Sequence, residues 1–66
     1  MQISFNGKEI TVDDGASVES LLQRLKIRKE LVVVEINLKI VDKSGYAETI
    51  LSPGDKVECI SFMGGG

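Results

Sequence analysis

The chain has 66 residues, of which 42% are hydrophobic and 27% are charged, and its 8 basic and 10 acidic side chains give a net charge of −2. These proportions are those of one small soluble domain, of a size that buries only about 60% of the surface of its unfolded chain and has no room for a deep pocket. The acidic balance provides no sustained positive surface for a phosphate backbone, so we expect no nucleic-acid partner.

Three further features bear on the cellular compartment. The single cysteine cannot form an internal disulfide, and the opening MQISFNGK lacks the basic start and apolar run of a signal peptide. No apolar stretch approaches the roughly 18 residues that would indicate a membrane span. We therefore expect a cytoplasmic protein without membrane contact.

The first residues predict a β-hairpin. Met1, Ile3 and Phe5 are apolar and alternate with polar residues, which is typical of a strand with one buried face. Asn6-Gly7 favours the positive φ angles of a type I′ turn, and the alternation resumes from Lys8 to Val12.

A helix and a buried strand follow the hairpin. Ser17 is placed to cap a helix that runs to about Lys26. The apolar residues of this helix recur at helical spacing: Val18, Leu21, Leu22 and Leu25. The run from Leu31 to Ile36 is dense in β-branched residues and predicts a strand buried on at least one face.

The second half of the chain contains two turns and two strands. A turn at 37–39 leads to a short strand, Ile40-Val41, although a tight turn would prefer glycine to Leu38. Residues 43–51 are irregular, with one helical turn around Tyr46, and both Ile50 and Leu51 are expected in the core. A turn at Pro53-Gly54-Asp55 precedes the last strand, 56–62.

This order of elements predicts an α+β fold, a ubiquitin-like β-grasp in which one helix covers one face of a mixed sheet of four to five strands. We expect a β-grasp domain at 1–63 and a flexible glycine tail at 64–66. If the final strand lies beside the first and parallel to it, both strands are central. The tail then leaves a rigid element.

The sequence argues against an enzyme. It contains no histidine, which excludes Ser-His and Cys-His nucleophile pairs and the commonest general acid or base near neutral pH. The carboxylates show no spacing typical of a metal cluster or a catalytic pair and are expected in turns and outward positions: Asp13, Asp14, Glu35, Glu48 and Glu58. We expect neither a catalytic nor a metal site.

A basic cluster and the single cysteine are both expected to have structural rather than functional roles. The basic residues that end the helix would meet the negative end of its macrodipole, with docking to an acidic partner as the alternative: Arg24, Lys26, Arg28 and Lys29. Cys59 is in phase with Val57 on the face that meets the helix, where it would be a small buried hydrophobic residue.

The opposite face of the last strand is expected to bind a partner. Ile60 and Phe62 alternate with the core residues of that strand, and Val33 would lie nearby in outward phase. Contiguous apolar groups on an uncovered sheet face commonly mark a partner surface. This face adjoins the base of the glycine tail.

The tail Gly64-Gly65-Gly66 has two interpretations. Termini are often loose, and glycine adds no side-chain contact. Alternatively, another protein handles the Gly66 carboxylate, which becomes an acyl donor only after its oxygen is made a leaving group, for instance as an acyl adenylate. At roughly 3.5 Å per residue the three glycines span only about 10 Å, and side chains would widen the channel that they must enter.

The order of motifs favours the second interpretation. The segments MQISFNGKEI, VVVEIN followed by IV, GYAETIL and PGDKVECISFMGGG together resemble the ubiquitin-like sulfur carriers, in particular the thiamin sulfur carrier family, over nearly the whole chain. Leu38 departs from the family's pattern, in which glycine is common after Asn37.

The resemblance implies a protein co-substrate with no bound cofactor. An activating enzyme of the ubiquitin E1 type would use ATP to adenylate Gly66, and a persulfide donor would supply the sulfur of a C-terminal thiocarboxylate. Thiazole synthase would take that sulfur for the thiazole of thiamin. Gly65 and Gly66 match the diglycine motif, and Phe62 and Met63 match the apolar positions before the tail that help to seat it on partners. Together with Ile60 of the outward face and Gly64, which is less diagnostic, they are the expected partner-binding residues.

Other functions remain open from the sequence. A carrier could deliver sulfur to another product, such as molybdopterin. A ubiquitin-like modifier would join Gly66 to a lysine and produce ladders of larger species. A plain interaction module would not depend on its last two glycines.

Overall fold

The protein is a five-stranded sheet with one α-helix, and the computed structural model describes residues 1–61. Two short 3-10 helices occupy Lys29–Leu31 and Lys43–Gly45. The remaining elements, in chain order, are β1 (Gln2–Phe5), β2 (Lys8–Thr11), α1 (Val18–Arg24), β3 (Val32–Ile36), β4 (Lys39–Ile40) and β5 (Lys56–Ser61). The predicted order of elements is confirmed.

The last strand lies in the centre of the sheet, whose strand order is β2-β1-β5-β3-β4. β5 runs parallel to β1, with Ser4 opposite Lys56, and antiparallel to β3, with Val34 opposite Cys59. The predicted parallel placement of the first and last strands is therefore confirmed. A central strand is hydrogen-bonded along both edges, so β5 is a rigid base for the residues that follow it.

Both hairpin turns use left-handed backbone. Asn6 and Gly7 have φ angles of 48° and 84°, and Asn37 and Leu38 have φ angles of 52° and 72°. Positive φ at both central residues is the pattern of a type I′ turn, whose twist matches that of the adjoining strands. Leu38 thus adopts a conformation that costs a residue with a Cβ about 1–2 kcal/mol, and its side chain is 79% exposed.

Helix α1 begins at a reciprocal cap. The Ser20 amide donates to the Ser17 hydroxyl at 3.0 Å, and the Ser17 amide donates to the Ser20 hydroxyl at 2.9 Å. The two bonds satisfy amides that the first helical turn leaves without intrahelical partners. The predicted cap at Ser17 is confirmed.

The helix ends earlier than predicted. Its last residue is Arg24, and Leu25 is an exposed C-cap residue rather than a member of the buried face. Lys26 then turns left-handed with a φ of 60°, which ends the helical path. The buried face of α1 consists of Val18, Leu21 and Leu22.

The core lies between the helix and one face of the sheet. Full burial of an aliphatic side chain contributes about 1.5–3 kcal/mol. The buried residues are Ile3, Val12, Val18, Leu21, Leu22, Val32, Val34, Tyr46, Leu51 and Val57.

The prediction that Ile50 lies in the core is wrong. Ile50 is 55% exposed, whereas its neighbour Leu51 is buried. Ile50 forms an isolated antiparallel bridge with Ser17, and the Leu51 amide donates to the Ala16 carbonyl at 2.8 Å. Extended backbone directs successive side chains to opposite sides, so only one of the two neighbours can enter the core.

The turn before β5 has the predicted form. Gly54 has a φ of 81°, and the Asp55 amide donates to the Ser52 carbonyl at 3.1 Å. Proline followed by a left-handed glycine is typical of a type II turn. Within residues 1–61, no helix is long and apolar enough to cross a membrane.

Candidate functional site at the end of the central strand

The candidate site begins where β5 ends. Val57 is buried beneath the helix, and Ser61 is the last residue of the strand. The chain continues from there into most of the residues that the sequence predicted for the site. Those residues lie outside the described part of the chain and stay predictions: Phe62, Met63, Gly64, Gly65 and Gly66.

The predicted outward residues of β3 and β5 meet. Ile60 lies directly opposite Val33 in the antiparallel pair, on the sheet face away from the helix. The Ile60 side chain is 52% exposed, and that of Ile40 on the neighbouring β4 is 71% exposed. The expected proximity of Ile60 and Val33 is confirmed.

Two carboxylates lie beside these apolar side chains. Glu35 is directly opposite Glu58 across β3 and β5, and Ile40 is opposite Glu35 across β3 and β4. We call this set the outer patch: Val33, Glu35, Ile40, Glu58 and Ile60. Among the ion pairs found within residues 1–61, none includes either glutamate. Like charges directly opposite each other destabilise a sheet, and a cation that approached both would relieve this repulsion.

The thiol of Cys59 is on the helix side of β5 but is not fully buried as expected. It is half-buried because it lines a groove with Ile27 and Leu31, which leaves one side uncovered. Burial raises the pKa of the Cys59 thiol above its ordinary value of 9.0. The thiol is therefore protonated at neutral pH, consistent with its predicted structural role, because the thiolate is the reactive form.

Asn6 contributes a contact that the sequence analysis missed. The Cys59 amide donates to Asn6 Oδ1 at 2.7 Å, and Asn6 Nδ2 donates to the Cys59 carbonyl at 3.3 Å. The preference of a type I′ turn for Asn-Gly already explained why position 6 is an asparagine. No local signal pairs it with a residue 53 positions away.

The basic residues near the helix end make local contacts. The Arg24 guanidinium donates to the Thr11 carbonyl at 2.8 Å, and the Lys29 ammonium donates to Glu19 at 3.0 Å. The hydrogen bond and charge of Glu19 raise the pKa of Lys29. Arg24 lies in the last turn of α1, as the dipole interpretation requires, but Lys29 pairs with Glu19 of the first helical turn, so that interpretation is wrong for Lys29. Residues 1–61 contain no group of three or more acidic or cysteine side chains arranged to hold a metal ion.

Comparisons with known proteins agree with this architecture. The model of the ThiS family matches residues 2–66. The crystal structure of the thiamine biosynthesis protein ThiS from Geobacter metallireducens matches with a TM-score of 0.86 and 39% sequence identity, over 100% of both chains. This match confirms the predicted ubiquitin-like β-grasp fold.

Two relatives extend the comparison. The sulfur carrier protein ThiS of Escherichia coli is 32% identical over 66 residues, which cover 100% of both chains. A thiazole synthase of Paramagnetospirillum magneticum is 42% identical over 66 residues, but this chain spans only 20% of its length.

The family match covers nearly the whole chain, and the similarity to both ThiS proteins extends over their full length. The chain therefore belongs to the ThiS family of sulfur carrier proteins of thiamin biosynthesis.

Proposed function

We propose that this chain carries sulfur for thiazole formation as a thiocarboxylate on Gly66. The observation that carries the proposal is the family match, which runs through residue 66 and includes the terminal glycines. The similar protein of Escherichia coli, aligned over its full length, is a sulfur carrier.

The chemistry needs an activated main-chain carboxylate. A Gly66 carboxylate oxygen attacks the α-phosphorus of ATP and releases pyrophosphate, which gives an acyl adenylate. The terminal sulfur of a persulfide donor then displaces AMP at the acyl carbon, which gives an acyl disulfide. A second thiol attacks the donor sulfur of that disulfide, so that a new disulfide forms on the donor side and the Gly66 thiocarboxylate is released. These steps take place in an adenylating enzyme of the ubiquitin E1 type, since the carrier has no histidine to act as a general base near neutral pH. The carrier is a co-substrate and not a catalyst.

The described domain suits this role because its last strand is central. β5 is paired with β1 and β3, so the base of the tail is fixed relative to the rest of the domain. In this proposal residues 1–63 are the domain that partners recognise, and residues 64–66 form a flexible arm. Glycines make that arm narrow enough for a channel that admits main chain alone.

The outer patch is the proposed docking surface. Ile60 and Val33 provide an apolar centre, and the Glu35–Glu58 pair provides negative charge. Phe62, Met63 and Gly64, which follow in the chain, stay predicted partner-binding residues. A matching partner surface is apolar, with a cationic side chain that reaches both carboxylates. Such a pairing would fix the orientation of the carrier on its partner and would also contribute to affinity.

The receiving partner is thiazole synthase. In Paramagnetospirillum magneticum, a protein of that name contains a segment similar to this whole chain. When a carrier segment and the synthase are parts of one polypeptide, sulfur donor and acceptor are held at high effective concentration. When they are separate proteins, a docking surface must bring them together. We place the exchange in the cytoplasm, where a reducing environment preserves thiocarboxylates and persulfides.

Pyrophosphate exchange tests the proposal. The chain, ATP and the purified adenylating enzyme from the same cells should exchange labelled pyrophosphate into ATP. A variant without Gly65 and Gly66 should show no exchange and should unfold at the same urea concentration as the full chain. Equal exchange by both proteins would contradict the proposal and indicate a plain interaction module.

A further inference from the structure

Two asparagines hold the two ends of β5 through their side chains. Asn6 bonds both main-chain groups of Cys59, near the C-terminal end of the strand. At the other end, the Lys56 amide donates to Asn37 Oδ1 at 3.0 Å, and Asn37 Nδ2 donates to the Asp55 carboxylate at 3.1 Å. Both asparagines are the first central residues of type I′ turns, with φ angles of 48° and 52°.

The carboxamide of Asn6 replaces the next peptide group of β1. The Ser4 amide donates to the Asp55 carbonyl and the Asn6 amide to the Val57 carbonyl, both at 2.9 Å. Continued pairing of parallel strands would place the next peptide of β1 beside Cys59. The main chain of β1 turns away at Asn6 instead, and the side-chain oxygen and nitrogen make the bonds to Cys59.

We propose that Asn6 is the positioning residue for the carrier tail: its carboxamide holds the β1-side edge of β5 at Cys59, where β3 alone would otherwise hold the strand, and thereby limits the directions in which the chain can continue toward Gly66. This inference rests on the proposed function. Gly66 is only seven positions beyond Cys59 in the chain. Looseness at Cys59 would be transmitted to the reacting end.

The physical reason is the entropy of binding. A tail that leaves a fixed base samples fewer directions, so less freedom is lost when the tail enters an activating enzyme. Asn6 lowers the entropy that is lost when the tail binds, and it does so without contacting the reacting atoms. Its loss should therefore raise the KM of the carrier and leave kcat unchanged.

Asn6→Gly and Asn37→Gly form a matched pair for the test. Glycine accepts the positive φ of both turns, so each variant keeps its hairpin and loses only its side-chain bonds, to Cys59 in one case and to Asp55 and Lys56 in the other. In Asn6→Gly, hydrogen exchange of the Cys59 amide should accelerate. In Asn37→Gly, exchange of the Lys56 amide should accelerate instead.

Pyrophosphate exchange then separates a positioning role from a merely structural one. We expect Asn6→Gly to raise the KM of the carrier about five- to tenfold, an amount equivalent to about 1–1.4 kcal/mol of additional ordering cost on binding, and Asn37→Gly to leave KM unchanged. Asn6→Asp tolerates the left-handed turn and keeps the acceptor for the Cys59 amide. Its KM should therefore lie between those of Asn6→Gly and the unaltered chain.

Three outcomes would overturn the inference. Unchanged exchange of the Cys59 amide in Asn6→Gly would show that the side chain does not hold β5. Equal KM values for the two glycine variants would show that holding β5 at Cys59 has no bearing on delivery. An unaltered chain that supports no pyrophosphate exchange would overturn the proposed function and the delivery role with it, while amide exchange would still report separately whether Asn6 holds the strand.

Discussion

Glu35 lies directly opposite Glu58 on the outer face of the sheet, with Ile40 beside the pair. A structure selected for stability alone would place opposite charges at such positions, because cross-strand ion pairs stabilise a sheet and like charges weaken it. The arrangement is therefore consistent with a surface adapted to a cationic partner.

Glu58→Lys should separate stability from docking. Replacing one carboxylate with an ammonium converts repulsion into attraction, so urea unfolding should show a gain of about 0.5–1 kcal/mol. Pyrophosphate exchange should show a higher KM for the carrier, since the cation of the partner would then be repelled. Glu9→Lys is the control, with the same charge change on β2, opposite Ser4. An equal KM increase in both variants would attribute the effect to net charge.

Ile60→Ser should weaken partner binding without unfolding the domain. The side chain is 52% exposed and lies in the outer patch, so its loss removes contact area mainly from the complex. We expect KM in pyrophosphate exchange to rise about tenfold, an amount equivalent to about 1.4 kcal/mol of binding energy.

Ile50→Ser is the matched control for that experiment. Ile50 is the same residue type with 55% exposure, but it bridges Ser17 at the start of the helix and is not part of the outer patch. Its KM should equal that of the unaltered chain. If the two serine variants behaved alike, the docking surface would not be where we place it.

Leu38→Gly should stabilise the protein. Leu38 has a φ of 72°, a conformation that glycine adopts without the Cβ clash, and its exposed side chain contributes little burial. We expect a gain of about 1 kcal/mol in the free energy of unfolding, measured in urea at an unchanged m-value. Leu38→Ala retains a Cβ and should show no gain. Equal stability of the two variants would mean that backbone strain is not the cause.

Stability should fall as the pH rises above about 9. Burial raises the pKa of Cys59 above 9.0, and burial also raises the pKa of Tyr46 above 10.0, although a hydrogen bond with the Val34 backbone opposes the second shift. A raised pKa means that the folded state holds its proton more tightly than the unfolded chain does. The resulting stability is complete below the pKa of the unfolded chain and is lost as the pH rises through the folded pKa.

Urea unfolding between about pH 7 and 11 measures this loss. The double variant Cys59→Ala with Tyr46→Phe lacks both titrating groups, so its stability should decline less steeply with pH than that of the unaltered chain. Identical slopes for the two proteins would exclude these groups as the cause.

Gly66→Ala should fold normally but accept adenylate poorly. One methyl group at the last residue widens the tail where the channel is expected to admit main chain alone. The urea midpoint should not change, whereas pyrophosphate exchange should fall. Normal exchange by this variant would contradict the channel argument.

Local patterns predicted the fold because each element carries its own signal. The Asn6-Gly7 turn, the Ser17 cap and the β-branched third strand are all recognisable within a few residues. Ile50 was assigned wrongly because two adjacent apolar residues in extended backbone compete for one inward position, and only the bridge to Ser17 decides between them.

The candidate site was only partly predictable, since it depends on pairs that are distant in the chain. The alternation of inward and outward residues in β3 and β5 placed Ile60 and Val33 on the same face, once the two strands were expected to be neighbours in the sheet. To predict that Glu35 lies opposite Glu58, one must know the register of β3 and β5. The composition of the two strands does not determine it, because a register that differs by one residue would have the same composition. The Asn6–Cys59 contact could not be predicted, because the turn alone was a sufficient reason for an asparagine at position 6.

The most direct test of the sulfur-carrier role is the intact mass of the protein purified from its own cells grown without thiamin. The account predicts a fraction that is heavier by the exchange of one oxygen for one sulfur, with the change located at Gly66 by fragmentation. An unmodified mass in all molecules, together with no pyrophosphate exchange in the lysate, would contradict it.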